Sequence, residues 1–313
     1  MGLIGHSKKI SFIVNPHSAN GRTGKKWPEI RKKAANRLGP FNIRMTSGPG
    51  DATDMARQCL REGSKIVVSV GGDGTLNEVI NGLGNQKGAI DPGVSLGIVP
   101  SGTGCDFSRS LDIPHELDAA LELIARTSRR RIDLGRLTYE TADGLSSCRY
   151  FVNIVSFGLG GEVDRRVNGS TKVFGGFLSF VWATFISLLS YKKKNIDLSI
   201  DHDFHENVTV WNVVVANGNY HGGGMFIAPG ADTSDGLFQV TVIGDLKIHE
   251  VFRNLPKLYN GRIYDHDRIT EYSGREIRAN SSEEVLIDMD GEQPGRLPLY
   301  IEMIPSAVNL ICT

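Results

Sequence analysis

The chain of 313 residues is long enough for two domains, each with its own core, and its 40% hydrophobic and 22% charged residues are ordinary for a soluble globular protein. Its 35 basic and 35 acidic side chains cancel, so there is no global positive field of the kind that holds nucleic acid, and that class of partner is excluded. Four cysteines, Cys59, Cys105, Cys148 and Cys312, show no Cys-x-x-Cys spacing, which argues against a zinc site and fits reduced thiols in the cytoplasm.

The first nine residues have no long apolar core, so no secretory signal is expected. Residues 9–14 read as a short strand broken by Asn15-Pro16, and a loop of small polar residues leads into a charged helix over about 25–38. That is the opening unit of a doubly wound sheet. A second strand is expected over 41–46, and Gly50-Asp51-Ala52 then opens a helix to about residue 62, with Asp51 placed to cap it. The third strand, 66–70, runs into Gly71-Gly72-Asp73-Gly74-Thr75 and a helical segment over 76–80.

Glycines in that turn free the backbone to aim N–H groups at one anion, and a helix N-terminus adds partial positive charge. Asp73 would repel a lone phosphate, so its presence suggests a metal ion or a proton to accept; a purely structural turn would explain the glycines alone. A fourth strand over 95–99 ends in Pro100-Ser101-Gly102-Thr103-Gly104, a second small-residue turn before another helix. Ligands of open α/β sheets bind beyond the C-terminal ends of the strands, where both turns lie.

After a helix over 116–127 and Arg129-Arg130-Arg131, the pattern changes to short runs rich in Val, Ile and aromatics: 151–155, 196–200, 208–216, 237–243, 285–289 and 299–304. Strands in series without helices between them predict an antiparallel sandwich. The expected domains are therefore residues 1–132, a doubly wound α/β unit, and 133–313, a β-sandwich. One uncharged, strongly apolar stretch, 174–191, interrupts the second half just before Lys192-Lys193-Lys194. It is short for a membrane span. Projected as a helix, it places Ser179, Thr184, Ser187 and Ser190 on one side and Phe177, Leu178, Val181, Trp182, Phe185 and Leu189 on the other. Two readings stand: a helix packed on the sandwich, or one docked on a bilayer surface with the lysines at the headgroups.

Two motifs are decoys. GRTGKK at 21–26 lacks Walker-loop spacing, and GLGG at 158–161 lies in the β-rich half. Two acidic turns have both chemical and structural readings. Asp232 and Asp235 sit three apart in a turn feeding a strand, which suits a hard cation or a plain Asp-Gly turn. Asp288-Met289-Asp290-Gly291-Glu292 either forms a hairpin turn or gathers carboxylates where a general base could work.

Taken in order, Asn15-Pro16, Gly50-Asp51-Ala52, residues 71–75 with Asn77-Glu78, GIVPSGTGCDF at 97–107, Phe157-Gly158 with Asp164, the 228–236 segment and Asp290-Gly291-Glu292 resemble the diacylglycerol kinase catalytic family. Bacterial soluble lipid kinases, sphingosine kinases and ceramide kinases are its relatives, and the resemblance runs from about residue 9 to 311.

The resemblance implies an N-terminal domain of the phosphofructokinase and NAD-kinase type, a C-terminal sandwich for the lipid, and ATP with Mg²⁺ in the cleft. Matched residue by residue, Asn15, Thr46, Gly71, Gly72, Asp73, Gly74, Thr75, Leu76, Asn77, Glu78 and Thr103 would bind the nucleotide. The Asp235 side chain and the carbonyls of Asp232 and Leu237 would hold a structural Mg²⁺. Glu292 would accept the proton, with Asp73 near the phosphates and metal as the other candidate base. Cys105 departs from the family's GTxNDF pattern, in which Asn is usual.

The expected activity is ATP-dependent phosphorylation of a lipid alcohol, diacylglycerol or a related lipid, by a cytoplasmic protein associated peripherally with the membrane and open to homodimer formation. The alternatives are a soluble-substrate kinase like NAD kinase, which shares the GGDG loop, and a lipid-binding module without catalysis.

Overall fold

A computed structural model describes residues 9–84, 90–169 and 186–313. The chain divides into two units: residues 1–102, 111–132 and 307–313 form the first, and 103–110 with 133–306 form the second. Two segments therefore depart from a division at residue 132.

In the first unit, strands β1 (Ile10–Val14), β2 (Asn42–Met45), β3 (Ile66–Gly71) and β4 (Ser95–Pro100) alternate with helices α1 (Arg22–Leu38), α2 (Asp51–Arg61) and α3 (Asp73–Leu83). The four strands are parallel in the order β4-β3-β1-β2. Every residue of β3 is buried, as expected of a central parallel strand covered on both faces. Helix α2 shows why the layers form: Ala52, Ala56 and Cys59 fall at helical spacing on one face and are all buried. It packs on α3, while α1 packs on α5 (Leu117–Arg126).

The second unit holds the short helix α4 (Asp106–Ser110) and, from residue 133, a series of antiparallel strands. These are β5 (Arg129–Glu140), β6 (Ser146–Phe151), β7 (Ile154–Gly158), β8 (Lys194–Ile200), β9 (Phe204–Val210), β10 (Asn212–Ala216), β11 (Tyr220–His221), β12 (Met225–Phe226), β13 (Phe238–Ile243), β14 (Ile269–Gly274), β15 (Glu276–Asn280), β16 (Leu286–Met289) and β17 (Glu292–Ile311). One run is β14-β13-β10-β7-β16-β17; β17 also pairs β15, which continues to β8 and β9. Period-2 alternation assigns the faces of β10: Val213 and Val215 join the sandwich core with Phe157, Phe238, Ile277 and Ile301, while Val214 and Ala216 join a second core with Trp211, Leu246 and Ile263.

Several expectations shift in detail. The run 151–155 straddles the break between β6 and β7, and 208–216 divides at Trp211 into β9 and β10. Helix α6 (Leu159–Gly169), opened by the GLGG glycines, adds a helix where none is expected before residue 174 of the second half. A Cβ on Gly160 would fall on the Ser156 hydroxyl, and one on Gly161 would collide with Leu286, so those glycines serve close helix-to-sheet packing. Most of the 174–191 stretch lies outside the described residues. At its described end, 186–190 is helical; Ser187 is fully buried and Leu189 is 59% exposed, against the projected faces, whereas Ser190 is exposed as projected. Leu188 belongs to the second core, and the Tyr191 ring lies 6.2 Å from that of Trp211. Among the described residues no helix is long and apolar enough to cross a membrane.

Candidate functional site

The predicted nucleotide residues of the first unit meet at the C-terminal ends of its strands. The Asn15 side-chain amide donates to Thr75 Oγ1 at 3.0 Å, and its Oδ1 accepts from the His17 N–H. Ser18 and Thr23 donate to the Ser101 carbonyl at 2.9 and 2.7 Å, and the Ser101 N–H donates to the Gly71 carbonyl. The loops after β1, β3 and β4 are thus bonded into one platform. Thr46 adds a fourth edge by donating its N–H to Val14 at the end of β1.

The β3-to-α3 turn uses its glycines differently from the expectation. Gly72 is extended at φ −98°, and Gly71 has no left-handed φ either. Space is what requires glycine: a Cβ on Gly71 would lie 2.6 Å from Thr75 Oγ1, and one on Gly72 would lie 3.2 Å from the Gly102 Cα. Helix α3 also begins earlier than expected, so Asp73 is an acidic residue in its first turn and interacts favourably with the helix dipole. Gly72 caps the helix without a side-chain hydrogen bond, and a helix N-terminus carries partial positive charge. Leu76 and Asn77 are buried within α3. Glu78 is committed elsewhere: its two carboxylate oxygens accept from the Gly50 and Ala52 N–H groups and cap α2. The cap expected from Asp51 is a correction, because Asp51 is the first residue of α2 and turns back to Ser47 and Gly48.

Thr103 belongs to the second unit, along with Asp232, Asp235, Leu237 and Glu292. The turn after Ala231 folds around a residue that the sequence did not single out. Asp133 accepts from the Gly236 N–H at 2.8 Å and the Ser306 N–H at 2.6 Å, and its own N–H donates to the Thr233 carbonyl. Burial pushes its carboxyl pKa up, and the charges of Asp235 and Asp232 push it the same way. A cavity of about 460 Å³ opens beside these groups and is lined by Asp133, Asp235, Arg275, Glu276 and Glu302 among others.

Among the described residues no three His, Cys, Asp or Glu side chains converge closely enough to cage a metal. Asp235 Oδ1 accepts from the Leu237 N–H, and Asp232 Oδ1 accepts from Ser234. The Thr233 hydroxyl is buried without a partner. Hard oxygens, mutually repelling carboxylates and this orphaned hydroxyl fit a cation such as Mg²⁺ that is held by one carboxylate, carbonyls and water.

Asp290 (φ 50°) and Gly291 (φ 86°) form a two-residue hairpin turn between β16 and β17, the geometry that Asp-Gly favours. The three carboxylates around it have different roles. Asp290, 6% exposed, accepts from the N–H groups of Val152, Asn153 and Ile154. Asp288 is fully buried. Glu292 alone of the three reaches solvent, with a side chain 40% exposed and paired to Arg149 at 2.9 Å. Near this turn lies an apolar cavity of about 140 Å³, walled by Leu159, Trp211, Ile227 and Leu258, with Ser156, Asn212 and His221 as polar lining. It is the feature sequence reasoning missed, because its walls come from elements spread between β7 and residue 258.

Comparisons with known proteins agree with this architecture. Residues 9–137 match the diacylglycerol kinase catalytic domain, and 153–312 match the YegS C-terminal NAD kinase beta sandwich-like domain. The chain is 27% identical over 293 residues to a diacylglycerol kinase of Bacillus subtilis, covering 93% of this chain and 92% of that one. It is 25% identical over 291 residues to a diacylglycerol kinase of Staphylococcus saprophyticus, covering 93% and 91%. A crystal structure of a diacylglycerol kinase from Bacillus anthracis superposes with a TM-score of 0.72 at 22% identity, covering 98% and 97% of the two chains.

Proposed function

The chain belongs to the diacylglycerol kinase catalytic family, and from that premise we propose that it transfers the γ-phosphoryl group of ATP to the hydroxyl of diacylglycerol or a closely related lipid alcohol. The observation that carries the lipid reading is the apolar cavity of the second unit, whose walls are hydrocarbon and aromatic surface with a few polar groups. Such a lining gains about 25 cal/mol per Å² of apolar surface removed from water, which a soluble polar acceptor would forfeit.

The proposed chemistry needs positioning and charge neutralisation more than covalent help. N–H groups at the start of α3, with Asn15 and Thr75, would hold the phosphates; Asp73 would act there in metal and phosphate positioning. Thr103 would contribute to nucleotide binding from the second turn. A structural Mg²⁺ held by the Asp235 side chain and the carbonyls of Asp232 and Leu237 would brace the turn that feeds β13, and Mg²⁺ bound with ATP would supply positive charge. Glu292 would accept the proton of the lipid hydroxyl as that oxygen bonds to the γ-phosphorus and the bond to the β-phosphate oxygen breaks, releasing ADP. Arg149 fixes the Glu292 side chain in place. The lipid would be met at a membrane surface.

Purified protein incubated with labelled ATP, Mg²⁺ and mixed micelles of diacylglycerol, sphingosine or ceramide, with an NAD arm, is expected to label diacylglycerol. Glu292→Gln is expected to lose about 10²- to 10⁴-fold in kcat, the range of a general base. Labelling of NAD alone, or of no acceptor, would overturn the lipid reading.

A further inference from the structure

Asp288 has no part in the proposed chemistry, yet it is fully buried beside the turn that carries Glu292. A buried carboxylate accepts hydrogen bonds and donates none, so it persists only where donors surround it. Three donors are in place. Ser156 Oγ of β7 lies 3.1 Å from Oδ2, the Gly291 N–H lies 3.0 Å from Oδ1, and His221 Nε2 lies 3.0 Å from Oδ2. Because the carboxylate is the acceptor, Nε2 is the protonated nitrogen of the imidazole in this contact.

His221 reaches this position on a separate device. It ends β11, and the hairpin to β12 turns through Gly222, Gly223 and Gly224 at φ 60°, 83° and 112°. That turn is latched to α4. The Gly223 N–H donates to Asp106 Oδ2 at 2.7 Å, Ser110 Oγ accepts from the Asn219 N–H, and the Arg109 guanidinium lies 5.5 Å from the centre of the Tyr220 ring. His221 also lines the apolar cavity together with Ser156. One imidazole therefore touches both the lining of the cavity and the carboxylate that bonds the Gly291 amide, one residue before Glu292.

We propose that His221 is a positioning residue: by donating from Nε2 to Asp288 it holds the 290–291 turn in register, so that the cavity lining and the Glu292 carboxylate keep a fixed relation. The part assigned to Glu292 rests on the lipid-kinase reading, whereas the clamp on the turn does not.

The variants are His221→Leu, which removes the donor, His221→Gln, whose side-chain amide can replace it, and Asp288→Asn, which removes the charged acceptor. Steady-state kinetics on diacylglycerol micelles are read beside hydrogen exchange of the peptide covering 286–296. Loss of a charge-assisted bond predicts a fall in kcat of about ten- to a hundredfold in His221→Leu and Asp288→Asn, with the KM for ATP within about twofold of wild type and recovery of most of the rate in His221→Gln. Exchange is expected to rise in that peptide for the first two variants and stay at the wild-type level in His221→Gln. Wild-type exchange and kcat in both His221→Leu and Asp288→Asn, or a His221→Gln variant as impaired as His221→Leu, would overturn the proposal. If the wild type phosphorylates no lipid, the kinase reading fails, and exchange alone still decides the clamp.

Discussion

Cys105 occupies the left-handed region at φ 52° and is buried, which gives a physical meaning to the family's preference for Asn at this position. Asn tolerates that conformation far better than most side chains with a Cβ. Cys105→Asn is therefore expected to stabilise the protein by about 0.5–1 kcal/mol, visible as a rise in Tm of about 1–3 °C; an unchanged or lower Tm would refute this account of the strain. Asp51 offers a pH test. The Ser47 hydroxyl, then the Ser47 and Gly48 N–H groups, hold its carboxyl below the ordinary value of 3.8. A lowered folded pKa contributes stability above the unfolded value, and that stability disappears as pH falls through the folded one. The Tm difference between wild type and Asp51→Asn should be full at pH 7 and shrink below about pH 4. A difference independent of pH would mean that the charge has no part in it.

At the scale of elements, Gly82 sets two effects against each other. In an isolated helix, Gly82→Ala would gain about 1 kcal/mol. In α3, a Cβ at that position would fall on the Thr53 carbonyl oxygen and lie 2.6 Å from the Ala56 Cβ, so α3 and α2 must separate. Overpacking against rigid backbone costs about 1–3 kcal/mol and more where nothing yields, so a net loss is expected in urea unfolding; a gain would show that the helices move apart freely. The same limit explains which elements were legible. The βα alternation of the first unit is visible because buried parallel strands and amphipathic helices such as α2 carry their own periodicity. Helix α6 was not, because its glycines advertise a turn and their purpose, contact with Ser156 and Leu286, exists only once the sheet has formed.

For the whole molecule, the last residues return to the first unit. Leu310 pairs in parallel with Leu96 of β4, and Val308, Leu310, Ile311 and Cys312 are all nearly inaccessible. Burial of each aliphatic side chain contributes about 1.5–3 kcal/mol, so removal of 307–313 is expected to lower stability by several kcal/mol and to raise hydrogen exchange in β4. Wild-type exchange in β4 after truncation would show that this strand is dispensable. Alternating strands and helices, the spacing of the glycine turns and the ordered acidic motifs were determined by sequence alone, since each is a property of neighbours within about ten residues. Tertiary structure decided which charges are engaged and which polar groups share a site. Lys192-Lys193-Lys194 reads as a cationic cluster, but Lys193 and Lys194 are paired with Asp245 and Glu283. Asp133 joins the 232–237 turn from about a hundred residues away, and His221 meets Asp288 across 67 positions. Those pairings depend on which strands become neighbours, and burial then enforces them, because a carboxylate removed from water must find its donors wherever the fold brings them.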